Sequence, residues 1–233
     1  MTTVAIMQPY FFPYIGYYQL IAHTDAFVLY DDAQYIRNGW SNRNRILREG
    51  TPHYLTFPVE NAHYTLSFAR RRYQASAENR NRILRSITEA YKRAPHFSTA
   101  MPLIEEIMSF PDPRVAAFNR NLLEKSCAYL GIATPIIDSS AVKIPSDLSG
   151  QDRVLAICKA LGASRYLNTI GGLSLYDRES FAVKGIRLFF IRTRTLLYDQ
   201  GCRERVPNLS IIDVIMFNSF EKVRGMLDEY ESV

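Results

Sequence analysis

Two short apolar runs, Val4-Ala5-Ile6-Met7 and Ala26-Phe27-Val28-Leu29-Tyr30, flank a single helix-length segment. Apolar runs without polar alternation are characteristic of strands buried on both faces. Gln8-Pro9 ends the first run and Asp31-Asp32 the second. Between them, Tyr17, Leu20 and Ile21 fall at helical spacing within Gly16 to His23. Strand, turn, helix and strand in this order form a βαβ unit, which calls for a parallel sheet with right-handed crossovers.

The same grammar returns late in the chain. Pro135–Asp138, Arg165–Asn168 and Ile186–Ile191 read as strands. A helix over Gln151–Leu161, with Ser149 as its cap and Gly162 as its stop, separates the first two. A short helix covers Ser180, Ser210 caps another through Phe217, and a last short helix ends the chain. The segment between the two halves is different in kind. Arg43–Leu47 and Tyr54–Val59 flank Glu49-Gly50-Thr51-Pro52 as a β-hairpin, and helices over Glu78–Arg93, Met101–Phe110 and Pro113–Leu130 follow, punctuated by prolines. The expected architecture is α/β: a Rossmann-like parallel sheet of about five strands, with a hairpin and helical insertion at about 43–130 in a single domain of residues 1–233.

Composition narrows the function classes. With 47% hydrophobic residues the chain has the makings of a globular core. No apolar run is long enough to span a membrane, and the start lacks a signal-peptide pattern, so the cytoplasm is the expected compartment. The three cysteines are too scattered for a disulfide framework or a zinc site, and Cys127 and Cys158 fall on apolar helix stripes. Net charge is +5, carried mainly by arginine, whose planar fork suits phosphate and carboxylate. The run Arg70-Arg71-Arg72 with Arg80, Arg82 and Arg85 reads first as a solvated face. No zinc finger, RNP motif or aromatic–basic interleaving points to nucleic acid. The expected partner is a small molecule.

In open α/β sheets, ligands bind beyond the carboxyl ends of the strands. Those ends offer Gln8 and Tyr10, then Asp31 and Asp32, then Ser139 and Ser140, then Asn168, Thr169, Gly171 and Gly172, and finally Arg192 and Arg194. No histidine is among them, and His53 lies on the hairpin instead. Two segments are dense in chemistry. Tyr14-Ile15-Gly16-Tyr17 resembles the HIGH signature of nucleotidyl transferases with tyrosine at both histidine positions. Tyrosine donates a hydrogen bond but brings no positive charge at neutral pH, so adenylyl transfer should be poor. Tyr14 and Tyr17 then either hold a ligand oxygen or pack the sheet edge, and Gly16 admits a phosphate to the helix N-terminus. The second segment runs from Asp31 to Ile46 and contains Gln34, the lone Trp40, Asn42 and Arg43. Its amides and aromatics suit a sugar or an amino acid, with Asp31 either a base, an anchor for an amine, or a turn cap. Gly171-Gly172 is a phosphate nest or an ordinary turn.

The chain as a whole resembles the WbqC-like protein family. The resemblance rests on "VAIMQPYFFPYIGYYQLI", "DAFVLYDDAQYIRNGWSNRNRI", "LTFPV", "DRVLAICKALGASRYLN" and "YDQ…NLSIIDVIMFNS". It implies a link to surface-polysaccharide biosynthesis and an enzyme attaching an acyl or aminoacyl group to an amine of an activated sugar or small precursor. The substrate would be nucleotide-linked or carrier-linked, and no cofactor is named by the resemblance. Gln8, Tyr10, Tyr17, Asp31, Gln34, Trp40, Asn42 and Arg43 are the motif residues expected to face the crevice. Asp31, Tyr17 and Tyr10 are the expected catalytic groups. Gln8, Tyr14, Gln34, Trp40, Asn42, Arg43 and Asn168 are expected to bind substrate, and Gly16, Gly171 and Gly172 phosphate. An ATP-dependent adenylyl transferase or ligase and a non-catalytic nucleotide- or sugar-binding module are the competing readings.

Overall fold

A computed structural model describes residues 1–233. The chain runs β1 (Thr3–Met7), α1 (Ile15–Ala22), β2 (Ala26–Leu29), then the hairpin β3 (Arg43–Arg48) and β4 (Thr51–Thr56). Three helices follow, α2 (Ala77–Tyr91), α3 (Phe97–Ser109) and α4 (Val115–Tyr129). The α/β pattern resumes with β5 (Ile136–Asp138), α5 (Gly150–Ala160), β6 (Arg165–Thr169), α6 (Arg178–Val183) and β7 (Arg187–Thr193). α7 (Ile211–Phe217), α8 (Phe220–Met226) and β8 (Tyr230–Ser232) close the chain.

The main sheet has six strands in the order β5-β2-β1-β6-β7-β8. The first five are parallel, with Val4 opposite Ala26 and Tyr166 opposite Leu188. Counting only parallel strands in chain order gives third, second, first, fourth, fifth, which is the order of the Rossmann sheet, with its switch point between β1 and β6. β8 is an antiparallel edge strand on β7, which the sequence reading lacks. Alternation along the strands sends Val4, Ile6 and Val28 toward α5 and α6, where they meet Ile157, Cys158 and Phe181. Ala5, Phe27 and Leu29 face the opposite side, in a larger core shared with α1, α7 and the insertion. Both buried cysteines have their thiol pKa pushed up to about 12 by burial, as suits packing residues.

One expected helix cap is absent and the other is present. Ser149 makes no capping hydrogen bond to α5, which starts at Gly150 with φ +52. Ser210 does cap α7, accepting from the Ile212 N–H at 3.2 Å, and its hydroxyl donates to the Phe12 carbonyl at 2.8 Å. A buried glutamine holds the C-terminus in place. Gln19 on α1 donates to the carbonyls of Met226 and Glu229 at 2.8 and 3.1 Å and accepts from the Thr193 hydroxyl at 2.8 Å.

Candidate functional site

Loop Tyr10–Tyr14 leaves β1 at the switch point, and its course is set by hydrogen bonds from distant segments. The Phe11 N–H donates to the Trp40 carbonyl at 2.8 Å. The Asn44 side-chain amide donates to the carbonyls of Phe11 and Phe12 at 3.1 and 2.8 Å. The Ile211 N–H donates to the Pro13 carbonyl at 2.9 Å. Phe12, at φ +40, sits in the left-handed region and is held there by these contacts. Asn119 and Tyr73 brace the same region from the insertion: Asn119 donates to the carbonyls of Pro9 and Ser41, and the Tyr73 hydroxyl donates to Ser41. A stretch from β1 and a stretch from the hairpin are thereby fastened side by side.

Between them lies a cavity of about 430 Å³. Met7 and Thr169 mark the ends of β1 and β6, and Ile191, Arg192 and Thr193 the end of β7. Tyr10, Tyr14, Trp40, Arg45 and Gly171 complete much of its wall, with Asn208 from the loop before α7. No aspartate, glutamate or histidine lines it. Arg45 donates to the Asn208 carbonyl at 3.1 Å, while its Nε–H is buried without a protein partner. Arg192 is exposed and enters no ion pair. Burial raises the pKa of both Tyr10 and Tyr14, so their hydroxyls remain hydrogen-bond donors at neutral pH. The crevice therefore offers two cations, neutral hydroxyl donors and an indole face, and no general base of the usual kind.

The sequence-predicted residues divide between this crevice and other places. Tyr10, Tyr14, Trp40 and Gly171 line it. Tyr17 does not: it is fully buried, packs against Tyr10 at 5.4 Å and Phe27 at 5.4 Å, and donates its hydroxyl to the Gln8 carbonyl at 2.7 Å. Gln8 is not among the residues that line the crevice. Gly16 is buried against Thr193 and the Tyr14 ring, and a Cβ there would lie 2.3 Å from the threonine hydroxyl oxygen. Its smallness serves packing rather than phosphate approach. A Cβ on Gly172 would likewise lie 3.0 Å from the Asn168 side chain. Asn168 is buried, donating to the Tyr166 hydroxyl and accepting from the Thr169 N–H.

Asp31 lies at the other half of the sheet edge. Its carboxylate accepts from the Ser139 hydroxyl at 2.9 Å, the Ser140 N–H at 2.9 Å and the Ser140 hydroxyl at 2.7 Å. It is 5% exposed and tethers the turn after β5 to the end of β2. Asp32 accepts from Ser139 at 2.5 Å and pairs with Arg153. Gln34 is exposed beside that pair and donates to the Tyr64 carbonyl at 3.1 Å. Asn42 and Arg43 border a third cavity, under the hairpin. Asn42 is committed to the Phe57 carbonyl and the Tyr35 hydroxyl. Thus Gln8, Tyr17, Asp31, Asn42 and Arg43 do not converge on one pocket. Arg45, Thr193 and Asn208 were not singled out by sequence, although Arg45 and Asn208 lie inside quoted motifs.

A five-strand parallel sheet in this order, with its open cavity at the switch point, defines a Rossmann-like α/β protein. Residues 8–225 match the WbqC-like protein family, and the chain belongs to it. It is similar to the uncharacterized protein Rv1507c of Mycobacterium tuberculosis, 29% identical over 220 residues that cover 94% of each chain. No solved structure matches. No helix is long and apolar enough to cross a membrane.

Proposed function

We propose that this protein is a transferase that binds a phosphate-bearing activated sugar or precursor in the switch-point crevice and passes an acyl or aminoacyl group to an amine. The observation that carries the reading is the pairing of Arg45 and Arg192 in a cavity with no carboxylate on its wall. Guanidinium forks recognise phosphate oxygens in two-point geometry, and a wall without acids leaves their charge available to a ligand. Trp40 and Tyr10 supply faces for a sugar or base, and Tyr14 and Thr193 supply directional hydroxyls. Catalysis would rest on positioning and on holding negative charge at the leaving group. Attachment to an amine is suggested by the family resemblance rather than by a base in the crevice.

Two features count against adenylyl transfer from ATP. Tyr17 sits beneath the crevice floor with its hydroxyl already used, and Tyr14 stays neutral. A likeness to the nucleotidyl transferase (HIGH) fold remains our reading of the strand order together with the position of α1. The absence of a carboxylate or histidine in the crevice favours one competing reading, a module that binds a nucleotide or sugar without turning it over.

Calorimetric titration with a uridine-diphosphate amino sugar, uridine diphosphate and ADP tests the proposal. Saturable binding of the nucleotide sugar, weakened about tenfold or more by Arg45→Gln or Arg192→Gln, is expected from the loss of a charged hydrogen-bonding partner. Absence of saturable binding by any of the three would overturn the crevice assignment. Tight binding without transfer from acyl or aminoacyl donors would leave a binding module.

A further inference from the structure

We propose a second site that binds a phosphate or diphosphate group, in the cavity under the hairpin walled by Arg37, Arg43 and Arg71. This inference does not rest on the crevice reading. The cavity measures about 500 Å³ and lies between the loop after β2 and the segment that leads from β4 to α2. Arg71 is the telling residue. It is 4% exposed, yet no carboxylate pairs with it. Its Nη1 donates to the Ala62 carbonyl at 2.9 Å, and its guanidinium lies 5.0 Å from the centroid of the Tyr35 ring. Its Nε–H is buried with no partner in the protein.

Arg43 repeats the pattern. It donates to the Asn38 carbonyl at 2.5 Å and rests over the Tyr54 ring at 4.6 Å, and its Nε–H is also buried and unpartnered. Arg37 stands exposed on the same wall and enters no ion pair. Glu60 is the one acid on that wall, and it faces Arg72 at 3.7 Å. A buried cation without a counter-charge is strongly disfavoured, and like charges around one cavity add to that. Aromatic faces and backbone carbonyls hold the two inner guanidiniums in place, leaving donors uncommitted. An oxyanion with several oxygens relieves the repulsion and satisfies those donors together, and a phosphoryl group does so better than a single carboxylate. Trp40, which lines the crevice, and Tyr54, on which Arg43 rests, stand 6.4 Å apart between centroids. The hairpin thus separates two basic cavities, one for each of two anionic ligands or for two ends of one.

The probe is pyrophosphate, titrated calorimetrically into the full chain at constant ionic strength, with citrate as the carboxylate control. Wild-type protein is expected to take up pyrophosphate saturably and citrate at least tenfold more weakly. Arg43→Gln and Arg71→Lys should each weaken the hairpin component tenfold or more, while Arg192→Gln leaves it unchanged. Arg37 is exposed on the rim, so Arg37→Gln should fold normally and weaken binding severalfold even if an Arg71 variant does not fold. Unaltered pyrophosphate binding in folded Arg37→Gln and Arg43→Gln proteins would overturn the proposal. Loss of all binding on Arg192→Gln alone, or citrate binding as tight as pyrophosphate, would do the same.

Discussion

The two halves of the sheet's carboxyl edge carry comparable polar side chains and use them in opposite ways. On the β2–β5 side, Asp31 and Asp32 are met by Ser139, Ser140 and Arg153, so the donors and acceptors there answer one another. On the β1–β6–β7 side, Arg45 and Arg192 look across a cavity that offers them no acid. The lesson is that a strand-end residue is informative about ligands only when its hydrogen bonds are counted. Asp31 looks like chemistry in the sequence and is a structural tether in space, while Arg45 looks like one hairpin arginine among several and is a crevice wall.

The largest expected effect concerns polar groups sealed inside the molecule. Tyr17, Tyr73, Tyr91 and Tyr166 are buried, and desolvation raises their pKa well above the usual 10.0. For an acid whose folded pKa is raised, the unfolded chain loses its proton first, so stability is intact below pH 10 and falls as pH rises beyond it. Each such group contributes a slope of about 1.4 kcal/mol per pH unit there. Circular dichroism against pH should show a steep cooperative loss of structure above about pH 10. A gradual or absent transition would mean that these hydroxyls ionise in place.

Asp31→Ala comes next and tests the tethered half directly. Removing the carboxylate strands the Ser140 N–H and hydroxyl, since the Ser139 hydroxyl keeps Asp32, with an expected loss of about 2–3 kcal/mol in urea unfolding. Binding of a nucleotide sugar by the folded fraction should be unchanged. If binding is abolished while stability holds, the two halves are not divided as described and Asp31 belongs to the site.

Gly16→Ala would bring a methyl group against Thr193 and the Tyr14 ring. An overpacked core position of this kind loses about 1–3 kcal/mol. Because Tyr14 forms part of the crevice wall, ligand affinity should fall as well, which a stability curve alone would not reveal.

The smallest effect on the fold is expected from Arg192→Gln. An exposed substitution of this kind shifts stability by about 0.5 kcal/mol or less. Affinity for the nucleotide sugar should nevertheless drop about tenfold, equivalent to about 1.4 kcal/mol. Equal affinity in the two proteins would make the open half as inert toward ligands as the tethered one.

How far the sequence could be read follows from the same contrast. β1 and β2 are legible because strands buried on both faces need unbroken apolar runs, and Val4–Met7 and Ala26–Leu29 supply them. The insertion is legible because the turn around Gly50 and the prolines punctuate it. β8 is not, since Tyr230-Glu231-Ser232 is a short, largely exposed edge whose pairing depends on β7 alone. Among the residues that line the crevice, Tyr10, Tyr14, Trp40 and Gly171 are reached from strand ends and motifs, because topology brings those ends together. Asn208 is not reached, because its place on the crevice wall depends on a loop that no periodicity describes, with φ +56 at the asparagine itself. Tyr17, Gly16 and Asn168 lie off the crevice because burial and hydrogen bonding commit them elsewhere, and residue spacing does not show which way a side chain turns.

Gln19 sets a schedule for the newborn chain. Its amide is completed by Met226 and Glu229, 207 and 210 residues further on. At roughly 5–20 residues per second of translation, on the order of 10–40 seconds pass between the making of α1 and the arrival of its partners. Throughout that interval the first helix carries an unanswered polar group on a surface destined for the interior. The N-terminal βαβ unit therefore reaches its final packing only once Met226 and Glu229 have been made.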